Sequence, residues 1–224
     1  VELSMIRQIA ALATPRSINL GLGEPNIEPD EEFRELARKA ATETTFHYTP
    51  NAGLLPLREL ISQRESGSRF DPASEVCVTH GTEEALYAVM QAFVAPGDEV
   101  LIPDPGFVAY GTLVQLAGGV PVSYPLDPET WEFSVEDVAA RVTEQTCAVI
   151  VNSPSNPTGA VMREEVLSNL AEAMTSREIL VISDEVYSQI YYDSRPPSMN
   201  SMGENVLTLG GLSKSHAMTG LRLG

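Results

Sequence analysis

Lysine is almost missing from this chain. Of 14 basic residues only Lys39 and Lys214 are lysines; the rest are arginine. Lys39 lies in a charged helical stretch, Glu35-Leu36-Ala37-Arg38-Lys39. Lys214 lies among glycine and serine, in Gly210-Gly211-Leu212-Ser213-Lys214-Ser215, directly after a strand-like run. That setting makes it a candidate amine nucleophile, a task closed to arginine, whose guanidinium does not deprotonate at accessible pH. Positive charge is scarce overall, with 31 acidic residues setting a net charge of −17. This balance argues against nucleic-acid backbones and anionic membranes as partners and favours solubility. No apolar run approaches the roughly 18–20 residues of a membrane span. The first residues lack the basic-then-apolar layout of a signal peptide, so the expected location is the cytoplasm. There are two cysteines, Cys77 and Cys147. Each sits in an apolar, strand-like run and is expected to be a buried free thiol. The three histidines, His47, His80 and His216, lack metal-ligand spacing. No internal repeat or low-complexity tract is present.

Alternation of short apolar runs with helical patterns dominates what remains. Helical spacing is read over Ser4–Ala13, over a stretch capped by Asp30 and running to about Ala41, and over about Leu54–Glu65. Ser17–Leu22 reads as extended, and 65–71 as a polar loop. Strands are then expected at Val76–Thr79, Val100–Ile102, Val120–Tyr124, Ala148–Val151, Ile179–Ile182 and Val206–Leu209. Helices are expected at Thr82–Val94, Phe107–Ala117, Val135–Val142 and Arg163–Met174. Such alternation, with Val/Ile-rich strands, predicts an α/β fold: a mostly parallel sheet with helices on both faces. The unusual residues follow strands: Gly81-Thr82, Pro103 to Phe107, Asn152 to Gly159, Asp184-Glu185 and Gly210 to Lys214. In an open parallel sheet the carboxyl ends of the strands form the ligand crevice, so these segments are expected to converge there.

Several nucleotide and hydrolase motifs fail. Gly21-Leu22-Gly23-Glu24-Pro25-Asn26 lacks the last glycine of a dinucleotide fingerprint, and Pro25 interrupts the turn. The acidic strand end at Asp184-Glu185 has no phosphate-binding loop upstream. Gly211 stands where a serine hydrolase of the S-x-x-K type needs its serine. What survives is a lysine, an acid and an anion cradle. The amides of Gly81-Thr82-Glu83 open a helix and suit a phosphate. Arg222, eight residues after Lys214, offers a bidentate contact to the same anion. Asp184 can pair with a buried heterocyclic cation, and Phe107 offers a flat face for stacking. Pyridoxal 5'-phosphate requires these parts.

On these residues the chain resembles the class I/II aminotransferases of the aspartate aminotransferase superfamily, of fold type I. The marks are Gly211-Leu212-Ser213-Lys214 with Arg222 and Gly224, Asn152 to Gly159, and Ser183-Asp184-Glu185-Val186-Tyr187. Tyr48 to Gly53 and Ala95 to Val100 also match. The resemblance implies that Lys214 bonds the cofactor's aldehyde carbon and moves the substrate proton. It implies that Asp184 keeps the pyridine nitrogen protonated, and that Asn156 and Tyr187 hydrogen-bond the ring oxygen. By the same resemblance Phe107 stacks on the ring, and Gly81, Thr82, Glu83, Ser213 and Arg222 hold the phosphate. Tyr48 would reach the phosphate of a neighbouring subunit, which implies a homodimer. Gly23 would approach the substrate carboxylate together with Asn156, and one X-Pro bond near Asn156 is expected to be cis.

Residues 1–44 would then be an arm and part of a small domain, and residues 45–224 a large cofactor-binding domain continuing past Gly224. The family's substrate-carboxylate arginine would also lie beyond Gly224. Gly211 replaces a hydroxyl that many relatives carry three residues before the lysine, which removes one phosphate contact. The implied reaction is ping-pong transfer of an amino group from an L-amino acid to a 2-oxo acid, in a protein with no nucleic-acid or membrane partner. Two alternatives stand beside it: a lyase or decarboxylase using the same cofactor, and an inactive fragment that only binds or assembles.

Overall fold

The computed structural model describes residues 5–18, 20, 21, 23–67 and 69–224. The chain divides into two compact units between Glu43 and Thr44. The first contains α1 (Met5–Ala10) and α2 (Glu31–Glu43). Asp30 caps α2, its Oδ1 accepting from the amide of Phe33 at 2.8 Å. Glu31 and Glu32 follow in the first turn, where the helix dipole favours negative charge.

The second unit is an α/β layer structure. It contains α3 (Leu55–Ser66), α4 (Thr82–Phe93), β1 (Glu99–Asp104), α5 (Ala109–Leu116), β2 (Val120–Pro125) and α6 (Val135–Ala139). It continues through β3 (Thr146–Asn152), α7 (Glu164–Thr175), β4 (Leu180–Asp184) and β5 (Val206–Leu209). The strands form one sheet in the order β2-β1-β3-β4-β5, and all four pairings are parallel. From β1 the chain steps outward to β2 and then crosses back to β3, so the strand order reverses between β1 and β3. In an open parallel sheet, ligands bind outside the carboxyl ends of the strands at such a reversal.

Side chains alternate across the sheet, and each face has its own core. Val100, Ala148, Ile150 and Ile182 pack with Leu86, Val89 and Met90 of α4 and Tyr110, Leu113 and Val114 of α5. Leu101, Val149, Val151 and Val181 pack on the other face with Val138 of α6 and Leu167, Leu170, Ala171 and Met174 of α7. The α7 residues recur at helical spacing, which gives that helix one apolar stripe. Burial of β3 on both faces explains its unbroken apolar run.

Four expectations need correction. Residues 76–79 do not form a strand: Thr79 exchanges two backbone bonds with Gly224, at 2.8 and 3.0 Å, and Val78 N–H reaches Ala52 at 3.0 Å. One exchanged pair is not a ladder. Cys77 is consequently exposed rather than buried, while Cys147 is half-buried, with burial pushing its thiol up to about 11. The expected helix over 135–142 stops at Ala139. The extended reading of 17–22 includes Asn19 and Leu22, which lie outside the described residues, as does Ser4 at the start of the first helix; the described part of 17–22 carries no strand. Among the described residues no helix is long and apolar enough to cross a membrane.

Candidate active site

The acid at the centre of the site is delivered by β4. Asp184 ends that strand and is only 5% exposed. Tyr110 of α5 donates its hydroxyl to Asp184 Oδ2 at 2.7 Å, and the amide of Val186 reaches Oδ1 at 3.3 Å. Burial pushes the Asp184 carboxyl up, and these two donors pull against it. Phe107, in the turn before α5, meets Tyr110 edge-to-face, with ring centres 5.5 Å apart at 83°.

Asn152, at the end of β3 beside Asp184 in the register, ties two of these segments together. Its Nδ2 donates to the Asp184 carbonyl at 2.9 Å, and its Oδ1 accepts from the amide of Asn156 at 2.6 Å. The loop holding Asn156 has cis bonds at Ser153–Pro154 and Asn156–Pro157, and Asp104–Pro105 is also cis. The Asn156 side chain hydrogen-bonds Tyr187, whose hydroxyl is pushed up first by burial and then by the Asp184 charge. Lys214 Nζ lies 6.0 Å from the centre of the Tyr187 ring, within cation–π range. Ser213 beside it is buried.

The third part is the N-terminus of α4. Gly81 has φ +90°, and a Cβ there would lie 2.6 Å from Arg222 Nη2, so the guanidinium rests on the glycine. Thr82 Oγ1 donates to the Gly210 carbonyl at 3.0 Å, which ties the helix end to the segment carrying Lys214. A Cβ on Gly211 would meet Thr82 Oγ1 at 2.9 Å, and one on Gly224 would meet the Thr82 nitrogen at 2.5 Å. Position 211 therefore has no room for the hydroxyl that the resemblance leads one to expect. The first amides of a helix have no acceptor within it, so those of Thr82 and Glu83 add to the Arg222 charge. The Glu83 side chain is exposed and leaves only its amide at this end.

The structure thus gathers Asp184, Tyr187, Asn156, Phe107 and Lys214, with Ser213 beside it, at one sheet edge, and Gly81, Thr82, Glu83 and Arg222 at the adjoining helix end. Tyr48 is not brought in: it is fully exposed, at 107%. Gly23 belongs to the first unit. Sequence reading missed Tyr110 and Asn152, and it missed the partners of Glu185. This buried acid, pushed up by burial, is bonded by Ser198, by the amide of Met199 at 2.8 Å and by Ser183 at 2.9 Å. Among the described residues no group of acids, histidines and cysteines could hold a metal ion.

The profile of the family described as aminotransferase class I and II matches residues 15–224. The chain belongs to that family. Among its aminotransferase relatives is the aspartate aminotransferase of Pyrococcus abyssi, 39% identical over all of this chain and 60% of that protein. Another is aromatic-amino-acid aminotransferase 2 of Thermococcus litoralis, 38% identical over 92% of this chain and 55% of that protein. Among solved structures, the aromatic aminotransferase of Pyrococcus horikoshii superimposes with a TM-score of 0.88 at 40% identity, covering 98% of this chain and 61% of that one. The chain therefore spans a little over half the length of the aminotransferases it matches.

Proposed function

We propose that this chain is the cofactor-binding portion of a pyridoxal-phosphate-dependent aminotransferase, which moves an amino group from an L-amino acid to a 2-oxo acid. The observation that carries the reading is that Asp184 ends β4, that Lys214 follows the end of β5, and that Thr82 ties the Gly81–Arg222 cradle to the segment carrying Lys214. The donor set fits the cofactor. A glycine-lined helix end with an arginine laid on it suits a phosphate dianion, and a buried carboxylate with two donors suits a ring cation. Asn156 and Tyr187 supply donors for a ring oxygen, and Phe107 supplies a flat face. Bound there, pyridoxal phosphate supplies an aldehyde for an amine to join and a protonated ring that draws electrons from the neighbouring carbon. Asp184 holds the proton on the ring nitrogen. Lys214 Nζ would take the proton from the substrate α-carbon and pass it to the cofactor side, and would carry it back in the reverse direction.

The names of the relatives support aspartate or an aromatic amino acid as donor. In the same reading Gly23 and Asn156 face the substrate, residues 1–44 belong to an arm and a small domain, and residues 45–224 belong to the large domain. Exposed Phe46 and Tyr48 support a homodimer in which Tyr48 reaches the partner's phosphate. The strong negative charge supports a protein without nucleic-acid or anionic-membrane partners.

The test is a half-reaction without acceptor. Adding aspartate or an aromatic amino acid to the cofactor-loaded protein should bleach the visible band and release one equivalent of 2-oxo acid. Continuous release of ammonia with no acceptor present would favour the lyase reading instead. A bound cofactor whose band no donor changes would favour a chain that only binds.

Gly81 supplies a second check. Gly81→Ala must place a Cβ against the Arg222 guanidinium, at a backbone conformation (φ 90°, ψ 161°) nearly confined to glycine that costs an L-residue roughly 1–3 kcal/mol. Displacing Arg222 removes a charge-assisted contact to phosphate, so affinity for pyridoxal phosphate should fall about 10- to 100-fold. Affinity for pyridoxal, which lacks the phosphate, should hold. Titration of the visible band with each compound separates the two outcomes.

A further inference from the structure

We propose that Tyr110 is a positioning residue whose hydroxyl fixes the Asp184 carboxylate for its partner on the cofactor ring. This rests on the cofactor reading above.

Tyr110 is 1% exposed and belongs to the core between α4, α5 and the sheet. As a core residue alone it would need no hydroxyl, and a buried hydroxyl must find a partner. Its partner is Asp184 Oδ2 at 2.7 Å, which lies 74 positions away in the chain. The other carboxylate oxygen has one donor, the Val186 amide, at a long 3.3 Å. The hydroxyl is therefore the short contact that holds the carboxylate in place. It also favours the ionised acid, which burial disfavours. The same ring packs edge-to-face on Phe107, so α5 ties the stacking residue and the acid into one rigid group.

The test compares two cofactors in equilibrium binding to the apoprotein. Pyridoxal phosphate has the ring nitrogen; its 1-deaza analogue has C–H there and gives Asp184 nothing to hold. Tyr110→Phe keeps the ring contact with Phe107 and removes only the hydroxyl. It should raise the Kd for pyridoxal phosphate about tenfold or more and leave the Kd for the deaza analogue within about twofold. Equal losses on both cofactors, or no loss on either, would overturn the assignment, because a purely structural role does not distinguish them. Should Tyr110→Phe fail to fold, the comparison moves to Asp184→Ala, which has no buried charge to support. Adding Tyr110→Phe to that variant should leave pyridoxal phosphate affinity unchanged, and a further drop would overturn the proposal. Failure of the unaltered protein to bind pyridoxal phosphate would overturn the cofactor reading itself, and this assignment with it.

Discussion

Lys214→Ala should end covalent retention of pyridoxal phosphate and lower the transamination rate by about 10⁴-fold or more, the upper range for loss of a positioned acid–base group. Lys214 Nζ faces the Tyr187 ring at 6.0 Å, on the segment that Thr82 ties to the phosphate-type helix end. An amine there can reach an aldehyde held by the cradle, and it can carry a proton. Alanine does neither. Lys214→Arg should lose as much, because it keeps the charge and gives up the nucleophile and the titratable proton. The measurement is borohydride reduction followed by intact mass. The parent protein should gain the mass of the reduced cofactor, and neither variant should. A reduced adduct that persists in Lys214→Ala would place the reactive amine elsewhere. Lys214 is half-buried at the site edge and outside both apolar cores, so melting of the variants should change little.

Much of this arrangement is legible in the sequence, for physical reasons that differ by element. β3 and β4 carry apolar runs, Ala148-Val149-Ile150-Val151 and Leu180-Val181-Ile182, because helices cover both faces, and such runs have few other uses in a chain this charged. The site segments follow strands, and a parallel sheet brings all its strand ends to one edge. The convergence of Asn156, Asp184 and Lys214 followed from topology without any knowledge of distances.

The misses share a cause: each depends on a partner far away in sequence. Val76-Cys77-Val78-Thr79 has the composition of a strand, but strand status needs a ladder, and only Thr79 finds a reciprocal partner, Gly224. Cys77 is exposed for the same reason. Tyr110 stands three residues after Phe107, and its spacing marks a core aromatic and nothing more; its role appears only when β4 brings Asp184 to its hydroxyl. Asn152 looks like a turn residue until its two bonds to Asp184 and Asn156 are seen. Gly211 looked like a lost hydroxyl contact. The structure gives the reason for the glycine, since Thr82 Oγ1 already occupies the space a side chain would need.

Asp184→Asn should separate stability from function, and the two effects should have opposite signs. The amide keeps an acceptor for Tyr110 but cannot hold a proton on the ring nitrogen by charge. Electrostatic groups aimed at developing charge are worth on the order of 10²–10³ in rate, so transamination should fall by at least that factor. The apoprotein should become more stable at neutral pH. The folded-state pKa of Asp184 is raised above its unfolded value by burial, so ionisation opposes folding. The sign follows: the parent keeps its full stability below the unfolded carboxyl value, about 4, and loses part of it as pH rises through the higher folded value. Asparagine does not titrate. The variant's advantage in melting temperature should therefore be near zero at the acid end, grow with rising pH, and level off once Asp184 is ionised in the folded parent. Glu185, also buried and raised, titrates in both proteins and cancels from the difference. A variant less stable than its parent at neutral pH would mean that the Tyr110–Asp184 contact outweighs the cost of burying the charge. Unimpaired transamination by Asp184→Asn would remove Asp184 from the cofactor site. The pH series matters because a simple packing defect would lower stability by the same amount at every pH.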